Sequence, residues 1–416
     1  MPQKRKPSYL LHKPTGQARV RLDGKDIYLG EYGSPESRER YEQLVADWFV
    51  RSEDAVLVSM TVDDLAVLYL KHAEQHYRKN GKPTPEISCI RIALRVLIAE
   101  HGRTRAREFG PRALKTVRDA MIEKGYTRKS INVHVGRIRR MFKWAAENEY
   151  VDFRVFHALT AVSGLRAGRS AAKESDPVLP VSDDDIAAIA PYVSRQVWAM
   201  IQLQLLTGMR PGEALTMRAG EIDASSDVWE YAPASHKTEH HGRRRIIFLG
   251  PQAQQVLVPF MDRPDEAFLF SPAEARNEFD EERKRNRKTP MTPSQAARAR
   301  KVAPERKPGD HYTVCSYRRA ISAACERAFA MPDELKKIPP QLPKKERERL
   351  KAEASAWRKE HCWHPHQLRH NAATEIRRKF GIEAARTVLG HSSAAVTEIY
   401  AEMDLDTARS VIGQVG

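Results

Sequence analysis

The stretch LGHSSAAVTEIY, residues 389–400, sets His391 nine positions ahead of Tyr400. Its composition predicts a short helical segment carrying a tyrosine hydroxyl. Working outward, HQLRH at 366–370 places His366 and Arg369 three positions apart, which puts both on one face of a helix. Farther upstream, TGMRPGE at 207–213 ends one apolar helix and opens another, with Arg210 and Glu213 three apart at the turn. Singly these are weak signals. A histidine beside Leu368 reads more readily as a satisfied core residue, and Tyr400 is one of 13 tyrosines. The ordered set carries the information.

That order resembles the tyrosine recombinase, or phage integrase, family. There an arginine box, a hairpin lysine, an HxxR box, a further histidine and a nucleophilic tyrosine follow one another, here over about residues 178–410. The resemblance identifies Arg210 as the first arginine and Lys237, in SHKTEHHGRRRIIFL (235–249), as the hairpin lysine. His366 and Arg369 match the HxxR pair, His391 the further histidine and Tyr400 the nucleophile. His370 and Glu213 stand beside them as supporting residues, with Glu213 a carboxylate that holds the arginine box. The resemblance implies a site-specific DNA recombinase, an integrase of a phage or other mobile element. Tyr400 would form a 3′-phosphotyrosyl bond, and two strand exchanges would pass through a Holliday junction. It implies double-stranded DNA recombination sites as partner, a homo-tetramer on DNA, and work beside accessory bending or directionality factors. The cytoplasm of a bacterial or phage-infected cell is the expected location. The linkage conserves bond energy, so no cofactor and no metal are implied.

The chemistry agrees with the resemblance. Breaking a phosphodiester without metal needs a nucleophile, positive charge on the nonbridging oxygens and a proton donor for the leaving oxygen. Arg210 and Arg369 offer forked, permanently ionised donors, which a lysine replaces poorly. The Tyr400 hydroxyl, with an ordinary pKa near ~10, must lose its proton during attack, and His366 beside a cation cluster would ease that step. Lys237 is the candidate general acid for the departing 5′ oxygen, and His391 a hydrogen-bond donor to the phosphate. Two other readings stay open: a non-cutting integrase-like DNA-binding regulator, and a type IB topoisomerase-like enzyme. Two features depart from the family pattern. Gln367 stands where an aspartate is common, and Lys237 and His366 lie 129 positions apart, more than in compact members.

The whole chain has 416 residues and a formal charge of +16, which favours a polyanionic partner, nucleic acid first. With 41% hydrophobic and 30% charged residues it has enough apolar material for packed cores. No run approaches the ~18–20 apolar residues of a spanning helix, so a soluble intracellular protein with no membrane partner is expected. The four cysteines are far apart, and HCWH at 361–364 has no second cluster at a zinc-like interval, so no metal site is expected.

The fold class expected is mainly α with small β elements. Residues 1–55 read as a small sheet plus helix, an arm-type DNA-binding module. Ala18 to Leu22 and Lys25 to Leu29 flank the turn pair Asp23-Gly24, Tyr9 to His12 adds a third strand, and Ser34-Pro35 opens the helix. Arg19, Arg21 and Lys25 are its candidate DNA contacts. Residues 56–164 read as a helical core-binding domain, with a capping box at Thr61-x-x-Asp64 and helices over Glu86–His101, Pro111–Lys124 and Lys129–Asn148. On the last of these Arg128, Lys129, Arg137, Arg139, Arg140 and Lys143 surround an apolar face, a candidate grip on the phosphate backbone. Residues 165–180 read as a linker. Residues 181–416 form the expected catalytic domain, opened by a capping box at Ser182-x-x-Asp185 and containing a hairpin across Val228–Leu249. A basic insertion is expected at about 272–360, its stretch 281–310 holding ten Lys or Arg against four Asp or Glu.

Overall fold

The computed structural model describes residues 6–79, 81–234, 245–290, 292–296, 309–391, 393 and 396–398. The chain divides into two compact units, residues 1–176 and 177–416. It is mainly helical with small antiparallel sheets, as the sequence predicts. No helix among the described residues is long and apolar enough to cross a membrane.

The first unit opens with the three-stranded antiparallel sheet β1 (Leu10–His12), β2 (Gln17–Leu22) and β3 (Lys25–Glu31). Asp23 and Gly24 both take positive φ, 49° and 82°, as the two central residues of a type I′ turn must. Alternation along β2 buries Ala18, Val20 and Leu22 against Leu29 and, on α1 (Pro35–Ser59), Val45. The opposite face carries Arg19 and Arg21. The Ser34 hydroxyl accepts from the Ser37 backbone N–H at 3.1 Å and so marks the helix start.

The rest of this unit consists of α2 (Val62–His76), the hairpin β4 (Arg78–Lys79) and β5 (Lys82–Pro83), α3 (Glu86–His101), α4 (Pro111–Glu123), α5 (Arg128–Glu147) and α6 (Phe153–Thr160). The Thr61 capping box forms in full, with Asp64 accepting from the Thr61 N–H at 3.0 Å. All five apolar positions on the predicted stripe of α5, Ile131, Val135, Ile138, Phe142 and Ala145, are buried in one core with Leu65, Leu94 and Leu114. Each large side chain among them contributes about 1.5–3 kcal/mol on leaving water. The stretch expected as a linker is in good part docked. Asn132 exchanges two hydrogen bonds with the Leu165 backbone, the Arg128 N–H donates to Lys173 O at 2.8 Å, and Ala172 is buried. Its backbone groups find protein partners, which a free linker does not require.

Among its described residues the second unit comprises α7 (Asp183–Ala188), α8 (Arg195–Thr207), α9 (Pro211–Leu215), the sheet β6 (Ile222–Asp223), β7 (Trp229–Tyr231) and β8 (Ile247–Leu249), and then seven further helices. Those are α10 (Pro251–Met261), α11 (Pro272–Arg285), α12 (Pro293–Ala296), α13 (Val314–Ala328), α14 (Asp333–Lys336), α15 (Lys344–His361) and α16 (Pro365–Leu389), the last broken at Gly381. The expected hairpin is β7–β8, with β6 an unforeseen third strand. At Ser182 the hydroxyl caps Asp185 N at 3.1 Å, so that half of the expected box is present. α8 runs through the core and packs against α10, α13 and α16.

The insertion expected at 272–360 needs correction. Within it, α13 sends Tyr317, Ile321, Ala324 and Cys325 into the main core, an i, i+4, i+7, i+8 stripe hidden between charged stretches. This helix is part of the domain, and the apolar burial is the reason. The charged helix α15 forms as expected and is also tethered, by buried Leu350 and Ala354 and by an Arg358–Glu326 ion pair.

Candidate active site

The site is built where α8 stops. Gly208 caps it in the left-handed conformation, φ 65°, and a Cβ there would lie 2.5 Å from Leu389 Cδ2, so only glycine fits both demands. Pro211 then starts α9 at once, which strands Arg210 in extended backbone between two helices. Glu213 reaches back: Oε2 accepts from the Arg210 N–H at 2.7 Å and Oε1 from Arg210 Nη1 at 2.9 Å. Glu213 is 4% exposed and Arg210 21%. Burial would raise the Glu213 carboxyl, but Arg245 foremost, with the Arg210 hydrogen bonds and charge, holds it below its ordinary value.

Arg369, on α16, has no exposed surface. Its Nη1 donates to Gly208 O at 2.6 Å, and its Nη2 reaches Leu389 O at 2.7 Å and His391 Nε2 at 2.8 Å. A guanidinium can only donate, so His391 Nε2 accepts and the ring proton sits on Nδ1, directed at Thr397 Oγ1, 3.0 Å away. Burial, then the charges of Arg369, Arg210 and Arg245, push the His391 pKa down to about 4, so the ring is neutral near pH 7. The structure thus brings together Arg210, Glu213, Arg369 and His391, from three separate motifs. His366 is half-buried and meets buried His370 edge to face at 5.6 Å. Gln367, which replaces the common aspartate, accepts from the His364 N–H and donates to Leu179 O, both at 3.0 Å, and so caps α16. Lys237 and Tyr400 lie outside the described residues.

Three residues of this site were not singled out from the sequence. Gln204 is fully buried on α8; it donates to Met209 O and Pro365 O and accepts from Tyr317 OH, wiring the arginine turn to the start of α16 and to α13. A glutamine amid an apolar helical run was the available signal. Thr397, in a helical turn at 396–398, had none. Arg245 had one: it shares the inward period-two face of β8 with Ile247 and Leu249, while Phe248 points out.

The expected DNA contacts divide. On the outer sheet face Arg19 pairs with Asp26 at 2.9 Å, Arg21 lies 4.0 Å from the same carboxylate, and Lys25 is exposed. On α5, Arg137 grips Glu86 through two bonds of 3.0 and 2.8 Å, and Arg140 joins the same carboxylate at 3.1 Å. Arg128 pairs with Glu174 and Lys143 with Glu147, and Arg139 has two buried guanidinium nitrogens. Lys129 is exposed and has no ion pair among the described residues. In the HCWH run, His361 stacks on Trp357 at 4.4 Å and Cys362 Sγ faces Ser322 O. Among the described residues no group of three or more His, Cys, Asp or Glu is placed to hold a metal.

Comparison with known proteins gives a consistent picture. The phage integrase family model matches residues 184–406. Among solved structures, the Tn1549 transposon integrase in complex with circular intermediate DNA is 17% identical, with a TM-score of 0.50, over 85% of this chain and 99% of that one. A lambda integrase dimer bound to a COC′ core site is 13% identical, with a TM-score of 0.54, over 97% of this chain and 96% of that one. No curated protein matches the sequence. At these identities the structures establish the fold, and the family model spans more than half of the chain. The chain belongs to the phage integrase family, the tyrosine recombinases.

Proposed function

We propose that the protein is a site-specific DNA recombinase that cleaves and rejoins strands through a 3′-phosphotyrosyl intermediate and a Holliday junction. The observation that carries this reading is the bonded chain from Glu213 through Arg210 and Gly208 to Arg369 and His391. Three guanidiniums, those of Arg210, Arg245 and Arg369, with a neutral imidazole and one buried carboxylate, make a low-dielectric cluster with excess positive charge. That is the environment a transferring phosphodiester needs.

In this reading Arg210 presents its N–H donors to a nonbridging oxygen, and Arg369 adds a second fork when its bonds to Leu389 and His391 loosen on DNA. Tyr400 attacks phosphorus, the 5′ oxygen leaves with a proton from Lys237, and His366 assists deprotonation of the tyrosine. Once Arg369 releases it, His391 takes the tautomer with the proton on Nε2 and donates from there to the phosphate. Residues 1–55, with Arg19 and Arg21 on the outer sheet face, act as an arm-type DNA module, and residues 56–164 grip the core site. Four protomers assemble on two duplex sites, as the Holliday intermediate demands, in the cytoplasm and beside accessory bending factors where the element uses them.

The test is a nicked suicide duplex carrying the element's junction sequence, incubated with the protein and with Tyr400→Phe. A denaturation-resistant adduct with the parent and none with the variant is expected. Absence of an adduct on a substrate that both proteins bind overturns the enzyme reading.

A further inference from the structure

We propose that Arg245 is a positioning residue of the active site, which locks the Glu213–Arg210 pair to the turn that carries His391. The inference deepens the strand-cleavage reading and rests on it. Arg245 stands just ahead of β8 and is 8% exposed. Its Nε lies 3.5 Å from Glu213 Oε1, the same oxygen that takes Arg210 Nη1. Its Nη1 donates to Val388 O at 3.2 Å. The backbone closes on it from the other side: a Cβ on Gly390, φ 66°, would stand 2.6 Å from that Nη1. One guanidinium therefore spans two elements far apart in sequence, the arginine box at Glu213 and the turn preceding His391, the latter 143 positions from Arg245 itself.

Two features say that this is more than a core ion pair. Nη2 of Arg245 is buried without a hydrogen-bond partner among the described residues, and Nε meets Glu213 only as a 3.5 Å ion pair, so the guanidinium is not fully satisfied as a core arginine ordinarily is. Moreover, the charge of Arg245 is the largest single influence holding Glu213 ionised, acting beside the hydrogen bonds and charge of Arg210, and it adds to the charges that keep His391 neutral. A fork is required for the span: a lysine ammonium is a point charge that can satisfy the carboxylate or the carbonyl in turn, but cannot fix the distance between them. Arg245 itself need not touch DNA; it sets where Arg210 and His391 meet the phosphate.

Two variants test this beside the parent and Tyr400→Phe on the suicide duplex. R245K should bind DNA with the parent's affinity and form the adduct about 10²-fold more slowly, the size expected when a reacting group is misplaced by about 1 Å. In R245Q the His391 ring, followed by NMR, should titrate at higher pH than in the parent, because a neighbouring positive charge is gone. Cleavage by R245K at the parent rate, or a loss of DNA affinity equal to the loss of rate, overturns the proposal while leaving the strand-cleavage reading intact. Should the parent itself form no adduct, the strand-cleavage reading fails, and an unmoved His391 titration then overturns the positioning role as well. If R245Q does not fold, the R245K rate and affinity decide.

Discussion

Arg369 Nη1 donates to the carbonyl of Gly208 across 2.6 Å, so the HxxR helix is bonded directly to the turn that carries Arg210. The bond is buried, and a second donor from the same guanidinium satisfies Leu389 O. Arg369→Ala should therefore destabilise the protein as well as abolish cleavage. The expected cost is about 1–3 kcal/mol for each carbonyl left without a donor. Arg369→Lys should recover part of the stability and little of the activity, since an ammonium cannot reach both carbonyls in the same plane. The midpoint of urea unfolding, read beside adduct formation, checks both; an unchanged midpoint for Arg369→Ala would contradict the bonding.

Gly208 makes that approach possible. Gly208→Ala forces a Cβ into Leu389 at 2.5 Å in a left-handed backbone, so a loss of roughly 2–4 kcal/mol is expected from strain and overpacking together. The addition of Leu389→Ala should return the steric share and leave the backbone share. A double-mutant cycle in thermal or urea unfolding measures this, and simple additivity of the two losses would argue against the contact.

His391 gives a pH dependence of definite sign. Its pKa is about 4 in the fold against 6.5 ordinarily, so between these values the unfolded chain binds the proton and the folded chain does not. Stability from this group is complete above about pH 6.5 and drains away as pH falls towards 4, by about 3 kcal/mol at most. Glu213, whose carboxyl is held low, adds a second loss farther into acid, as pH drops through its folded value. His391→Gln should flatten the unfolding free energy between pH 6.5 and 4 relative to the parent. A parent profile already flat there would refute the neutral, buried ring.

What could be read from the sequence was local. The helix over Glu86–His101 follows from its apolar period and the turn at Asp23-Gly24 from backbone sign, both written within a few residues. The motif arginines and His391 were recognisable by order, and they do converge. Other features depend on partners far away in the chain. The α13 stripe became core because α8, α9 and α16 pack against it, and β6 is too short to announce itself. The direction of Arg245 rests on which face of β8 turns inward. The pairing of Arg137 and Arg140 with Glu86 was invisible for the same reason: a cation's partner 51 to 54 positions away leaves no local pattern.

That pairing separates the cations of α5 into two kinds, with different consequences for DNA. Arg137 is spoken for by Glu86, so Arg137→Ala should act mainly on stability, by leaving a half-buried carboxylate with its Arg140 bond alone in place of three. Lys129 is exposed and unpaired among the described residues, so its loss should leave stability nearly unchanged. If Lys129 meets a phosphate, Lys129→Ala lowers affinity similarly on specific and nonspecific duplex and reduces the slope of log K against log salt by about 0.9. Fluorescence anisotropy titrations across a series of salt concentrations, paired with unfolding curves, distinguish the two. An undiminished slope for Lys129→Ala would remove that lysine from the DNA interface, whereas a reduced slope with unchanged stability for Arg137→Ala would mean that DNA displaces Glu86 from its arginine.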